Sequence, residues 1–515
     1  MSKYYLGIEL GSTRIKSVLI DDSKEVVAQG SHEWENVLVD GLWSYSLEAV
    51  EEGLQASYRD MAEQYAAKFG SPLTHIAGIG ISAMMHGYLA FGRDGELLVP
   101  FRTWRNTNTE DAANILSDKF GFNIPMRWSV SHYYQAVLNK EEHVSDVAFM
   151  TTLAGYVHYR LTGERVLGVG DASGMFPTLG RGYDEKMIAE FNSLLKEQGI
   201  DVDFVSLMPR VLLAGEDAGR LTDDGAVFLD PSGCLKAGSL LCPPEGDVGT
   251  GMVATNSVRQ RSANISAGTS AFLMVALEQP LKSYYKEIDV VASPVGDPVA
   301  MVHVNNFTTE ITAWANLFEE VIALSGGKIS RGQLFDSLFT SSLGADSDLG
   351  GLMGYNFLAG EPVVDVKNGT TLLTRAPEGR FTLANFMKTQ IYSALGALAV
   401  GCETLKKEQV AIDTVCGHGG FFKTPTVGQS AMSAALGAPV TVMQNAGEGG
   451  AYGIALLALY TEAEDQSLAD FLDSVFANAE KHTVEANERE LADFGAFMKK
   501  FKDGLAVQQL AAEVL

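Results

Sequence analysis

The sequence predicts an α/β protein made of two related domains. Three observations carry this. Strand-like apolar runs alternate with helical patterns, 515 residues exceed one comfortable core, and the same strand–turn–strand layout opens each half.

The first hairpin begins at Tyr4. Residues 4–8 are apolar and β-prone, Gly11-Ser12-Thr13 breaks the run, and Ile15 to Ile20 resumes it before Asp21-Asp22. From Leu47 to Phe69 apolar residues recur every three or four positions, at Leu47, Val50, Leu54, Tyr58, Met61, Tyr65 and Phe69, which is a helix with one buried face. His75 to Ser82 reads as a further strand. The second half repeats the opening: Asn264-Ile265-Ser266 is a strand, Gly268-Thr269-Ser270 a turn, and Ala271 to Ala276 a strand. Gly11 and Gly268 lie half a chain length apart, the pattern of a duplicated unit. The polar segment Val258 to Ser262 is the expected crossing point, giving domains 1–257 and 258–515. Beyond it, Phe381 to Leu405 and Glu448 to Tyr460 read as helices. Leu468, Phe471, Leu472, Val475 and Phe476, then Leu491, Phe494, Phe497 and Phe501, read as amphipathic helices packed on the outside.

Composition narrows the function. Hydrophobic residues are 46% and charged residues 20%, so a large core is available. A net charge of −26 argues against nucleic acid, whose phosphates need clustered Lys and Arg, and disfavours anionic membranes. It does not exclude ATP, which backbone N–H groups and one or two cations can hold. Cys234, Cys242, Cys402 and Cys416 form no C-x-x-C pair and read as reduced thiols. The opening MSKYYLGIEL has no basic-then-apolar leader pattern, and Ala451 to Tyr460 is too short to span a bilayer. A cytoplasmic protein is expected.

Five elements carry candidate chemistry. Gly11-Ser12-Thr13 presents backbone N–H groups and two hydroxyls on one tip, a phosphate cradle, with Lys16 as a nearby cation. Gly268-Thr269-Ser270 repeats it, so two hairpins can grip one chain of phosphates. Gly419-Gly420-Phe421, following the strand-like Asp413 to Cys416 and leading to Thr424, lets backbone approach adenine and ribose; a strand-to-helix turn is the alternative. Asp247, in the Gly-rich turn Pro243 to Gly251, supplies a carboxylate of the kind that takes a proton from an alcohol; an Asx-turn is the alternative. Met85-His86, at the end of a buried strand, and Trp104-Arg105-Asn106 offer polar and aromatic groups suited to a sugar; a structural histidine and a solvated loop are the alternatives.

In this order the elements resemble the FGGY carbohydrate kinases, a branch of the actin-like ATPases, over about residues 4 to 460. Glu9 to Lys16 resembles the family's first phosphate motif and Ser82 to Gly87 its substrate strand. Leu161 to Glu164 with Asp171-Ala172-Ser173 is similar to a lid-side region. Gly246-Asp247 resembles the catalytic base, Gly268-Thr269-Ser270 the second phosphate motif, and Gly419 to Thr424 with Gln429 the adenosine motif. The resemblance implies two ribonuclease-H-like domains with a central cleft. It also implies transfer of the γ-phosphoryl of Mg-ATP to the terminal hydroxyl of a ketopentose, with xylulose favoured through Met85-His86-Gly87. Asp247 would be the base, Glu9 and Asp247 would hold Mg²⁺, and Thr13, Lys16 and Thr269 would hold phosphates. Glu9 stands where the family usually has Asp, Asn106 and Asn108 stand where it has charged residues, and Val248 and Phe421 also depart. L-xylulose, ribulose, a deoxy-ketose or a polyol are therefore alternative substrates. An actin-like switch ATPase is the alternative of another class, disfavoured by Met85-His86 and Asp247. The expected partners are small molecules only, and a homodimer is compatible with the sequence.

Overall fold

A computed structural model of the chain describes residues 3–443, 449–463 and 466–515. Two mixed sheets organise it. In the first, β1 (Tyr4–Leu10), β2 (Arg14–Asp21) and β3 (Val26–Glu33) run antiparallel in sequence. Helix α1 (Leu47–Phe69) then returns the chain so that β4 (Gly78–Ala83) pairs parallel to β1. The short strands β5 (Leu240–Leu241) and β6 (Glu245–Gly246) add parallel to β4, and α2 (Asp247–Ala254) follows.

The second sheet repeats the plan. β7 (Ser262–Ala267) pairs antiparallel with β8 (Ala271–Ala276). The edge strand β9 (Asp289–Ala292) and then β10 (Pro298–Val304) continue the antiparallel side. After α3 (Leu383–Lys407), β11 (Thr414–His418) pairs parallel to β7. Past α4 (Val427–Leu436) comes β12 (Val440–Met443), parallel to β11. Helix α5 (Gly449–Tyr460) follows β12 as α2 follows β6. The duplication inferred from one short repeat thus extends to strand order, strand direction and the helix after the last parallel strand.

Local chemistry explains the elements. Ser46 caps α1 by accepting the Ala49 N–H, Gly70 ends it in a left-handed conformation (φ 71°), and Val50, Leu54, Tyr58, Met61 and Tyr65 form its buried face. The observed span matches the periodicity. The β4 strand starts at Gly78, three residues later than His75. The closing segment is not helix alone: β13 (Lys481–Val484) interrupts it and pairs antiparallel with β12, before α6 (Glu488–Val514). The polar run Lys481-His482-Thr483 ahead of Val484 hides an edge strand from a search for apolar runs. Phe494, Phe497 and Phe501 of α6 are buried against α3 rather than merely lying outside. Glu448 lies outside the described residues.

Helix α5 is apolar all round, which only a helix covered on several sides can be. It belongs to the second half by sequence but packs on β1, β4 and α2 of the first. Glycines permit backbone contact there. A Cβ at Gly7 would run into the Ala451 carbonyl oxygen, one at Gly80 into Ile454, and one at Gly453 into the Thr250 carbonyl oxygen. Among the described residues no helix is long and apolar enough to cross a membrane, and all four cysteines are free.

One glycine substitution in the seam and one outside it as a control test this packing. Gly7→Ala should destabilise the protein by about 1–3 kcal/mol, because backbone on the other side cannot yield. Gly495→Ala, on an exposed stretch of α6 with nothing within 4 Å of the new methyl, should stabilise by up to about 1 kcal/mol. Denaturant unfolding of the two variants checks both signs.

Candidate active site

The two hairpins are built alike around their donors. In the first, the Trp34 indole N–H donates to the Gly11 carbonyl (2.7 Å), the Tyr45 hydroxyl to the Ser12 carbonyl (2.7 Å), and the Trp34 N–H to the Thr13 carbonyl (3.2 Å). In the second, the Thr308 hydroxyl donates to the Gly268 carbonyl (2.7 Å) and the Phe307 N–H to the Thr269 carbonyl (2.8 Å). The carbonyl oxygens are thereby occupied. The Ser12, Thr13, Thr269 and Ser270 N–H groups have no acceptor among the described residues. A turn with occupied carbonyls and free N–H groups favours an anion. Lys16 stands directly across the ladder from Glu9.

Asp247 does not sit in a turn. It is the first residue of α2, with Gly246 as the N-cap, because β6 ends and a helix begins there without an intervening loop. Its carboxylate is open to solvent on one side and accepts the Met85 N–H at 3.3 Å. Enclosure by protein on its other sides, and then the charge of Glu9, raise its pKa to about 6. Glu9, half-buried, is also raised by burial. Lys16 and the N–H groups of Ala451 and Gly450 at the start of α5 oppose this. Ser82 and Thr250 complete the floor through a 2.9 Å hydroxyl contact.

Met85 and His86 are buried beside Asp247. His86 has a left-handed backbone (φ 71°) followed by Gly87 (φ 89°). The Gly87 N–H donates to the Arg127 carbonyl at 3.1 Å, and the Ser129 hydroxyl donates to the Gly87 carbonyl. Burial, then the charge of Arg127, hold His86 well below the usual histidine range. Its Nδ1 meets the Gly174 carbonyl at 3.3 Å, so the neutral ring carries its proton on Nδ1 and keeps Nε2 as an acceptor.

The remaining predicted residues divide. Exposed Trp104 donates its indole N–H to Ser12 Oγ (3.2 Å), beside the first hairpin. Arg105 stacks on Trp43 and bonds Asn36. Asn106 is buried, with its amide committed to the Trp43 backbone and the Thr103 carbonyl. Gly419 lies against the end of β7: a Cβ there would meet the Ala267 carbonyl, which brings Gly419 and Gly420 beside the second hairpin. Phe421 instead packs in the core against Phe307 and Phe339. Thr424 is buried and bonded to Asp336 at 2.7 Å.

A second carboxyl pair escaped the sequence reading as a site. Asp171 and Glu245 are both buried. Glu245 accepts the Asp171 N–H (3.0 Å) and is raised to about 8 by burial and the Asp171 charge. Asp171 accepts the Thr152 hydroxyl and is raised to about 7 by burial. An acidic residue between Pro243-Pro244 and Gly246 was the available signal. Among the described residues, no three His, Cys, Asp or Glu converge as a metal site.

Comparisons with known proteins identify the family. The FGGY family of carbohydrate kinases matches through its N-terminal domain at residues 4–229 and its C-terminal domain at residues 263–462. The xylulose kinase of Haemophilus influenzae is 22% identical over 496 residues, 93% of this chain and 94% of that one. Ligand-bound xylulose kinase from Lactobacillus acidophilus superposes with a TM-score of 0.79 at 17% identity, over 98% of each chain. Gluconate kinase from Lactobacillus acidophilus gives 0.80 at 17% identity, over 99% of each. The chain belongs to the FGGY family of carbohydrate kinases, ATP-dependent enzymes with the two-domain actin-like ATPase fold.

Proposed function

We propose that this kinase phosphorylates the terminal hydroxyl of a neutral ketopentose, xylulose before other ketoses or polyols, with Asp247 as the general base. The observation that carries the reading is the position of Asp247. It is open to solvent, bonded to the N–H of Met85 and next to the turn that bears His86. A carboxylate there can orient a sugar hydroxyl held on Met85-His86 and accept its proton as the oxygen attacks phosphorus. His86 Nε2 accepts a second sugar hydroxyl. The N–H groups of the two hairpins, with Lys16, hold the phosphates, and Gly419-Gly420 borders the nucleoside. Residues 1–257 and 258–515 close around the pair and exclude water that would otherwise take the phosphoryl group.

Glu9 and Asp247 fit a magnesium ion. Mg²⁺ is commonly bound by one or two carboxylates with substrate phosphates and waters completing the shell, and Glu9 is near enough for its charge to raise Asp247. When bound, the ion would offset charge on the phosphates. Lys16 and the α5 N–H groups oppose the burial that raises Glu9 and so favour its charged form.

The charge around the turn favours a neutral sugar over an aldonate such as gluconate. Asp247 accepts the Met85 N–H beside the turn, and Glu9 is near enough for its charge to raise Asp247. The nearby cations are paired, Arg127 with Asp289 and Arg102 with Glu141. A substrate carboxylate would meet repulsion, and among the described residues both of these guanidinium groups are already paired. The full-length match to a xylulose kinase supports the ketose.

Three outcomes are expected. Asp247→Ala should lower kcat by roughly 10²–10⁴-fold while affinity for metal-free ADP, read by calorimetry, stays within threefold; retained turnover would remove Asp247 as the base. The base works ionised, so kcat/KM should rise with pH, be half-maximal at about 6 and level above that. Glu9→Gln, by removing a like charge, should move that limb to lower pH. In a coupled ADP-release assay, D-xylulose should exceed gluconate, and equal turnover of both would sink the charge argument.

A further inference from the structure

The edge strand β9 of the second sheet is bonded to both loops that hold His86. At one end, Arg127 makes an ion pair with Asp289, and Asn123 Nδ2 donates to Asp289 Oδ1 at 2.8 Å. The same amide reaches the carbonyl oxygens of Ile288 (3.2 Å) and Lys286 (3.3 Å). At the other end, the Ala292 N–H donates to Ser173 Oγ at 2.8 Å, and that hydroxyl donates to the Gly170 carbonyl at 2.6 Å. These loops form the two walls of the sugar turn. Arg127 accepts the Gly87 N–H, Trp128 stacks on the His86 ring at 6.1 Å, and Gly174 accepts from His86 Nδ1.

We propose that Asp289 is a positioning residue: through Arg127 it fixes the His86-Gly87 turn, and so couples nucleotide on the second sheet to sugar on the first. The assignment of ligands to the two sides rests on the function proposed above.

The ion pair is suited to this work. Exposed pairs contribute little, but these side chains are only 24% and 12% exposed. Removing the carboxylate leaves a half-buried guanidinium unpaired, which is costly enough to make it move. Its own backbone carbonyl holds Gly87, so movement of Arg127 is transmitted to the turn over one residue. The guanidinium also reaches both halves electrostatically. After burial, its charge is the next cause that holds His86 and His303 low. His303 lies on β10, beside β9.

Coupling of this kind is reciprocal, so it can be read without sugar. The experiment is amide hydrogen exchange of residues 84–88 with and without Mg-ADP. In the unaltered protein Mg-ADP should slow exchange several-fold. Asp289→Asn should abolish that protection while Mg-ADP affinity changes less than threefold and exchange around Gly268 keeps its response. Arg127→Gln should do the same, and the double variant should lose no more than either single one, because both act through one link. Wild-type protection retained in both variants would overturn the proposal, as would no protection in the unaltered protein. Failure of the sugar reading looks different: no turnover of D-xylulose, with the Mg-ADP protection and its loss in Asp289→Asn intact.

Discussion

The close packing of α5 onto β1, β4 and α2 is the constraint on which the active site depends. Backbone meets backbone along this seam because Gly7, Gly80 and Gly453 carry no side chain to separate the elements. Close approach has an electrostatic result. It sets the first N–H groups of α5 over the Glu9 carboxylate and brings Thr250 against Ser82. A bulkier seam would lift α5 away, and Glu9 would lose the donors that oppose its desolvation. The same helix belongs by sequence to one half and by contact to the other, so the halves share a floor while their hairpins remain on separate sheets.

On that floor the protein concentrates negative charge where it must bind polyphosphate. The net charge of −26 is not a contradiction. In the proposed function anion binding falls to backbone N–H groups, whose carbonyl counterparts are occupied by Trp34, Tyr45, Phe307 and Thr308. In the same proposal the carboxylates serve the alcohol and a metal ion instead. Their mutual repulsion, added to enclosure, brings Asp247 into the range in which a base is both ionised near neutrality and still basic enough to take a proton. Glu9 therefore matters even where it touches neither substrate.

How much of this was legible in the sequence follows from the range of the forces involved. The hairpins at Gly11 and Gly268 and the helix from Leu47 to Phe69 are local: turn residues and a 3.6-residue period specify them. Asp247 was visible as a carboxylate but not as the start of a helix, because its glycine-rich surroundings look like a loop. Asn106 and Phe421 look like site residues in one dimension. Their partners, Trp43 for the first and Phe307 and Phe339 for the second, are distant in sequence and commit them to structure. Asp171 with Glu245, and Arg127 with Asp289, are pairs made by tertiary folding, and no periodicity announces either. The edge strands β9 and β13 are short, and sheet pairing, rather than an apolar pattern, defines them.

The left-handed backbone at His86 has a consequence for evolutionary change. A β-branched or bulky side chain pays a steric penalty in that conformation, whereas Asn, Asp and Gly are tolerated. Asn and Asp are each one nucleotide from a histidine codon. The first keeps a polar tip; the second adds another anion to a crowded site. With His86 on the sugar, as proposed, drift toward a new substrate at this position has few routes open to it, and diversification of specificity is channelled to neighbouring residues with ordinary backbone geometry.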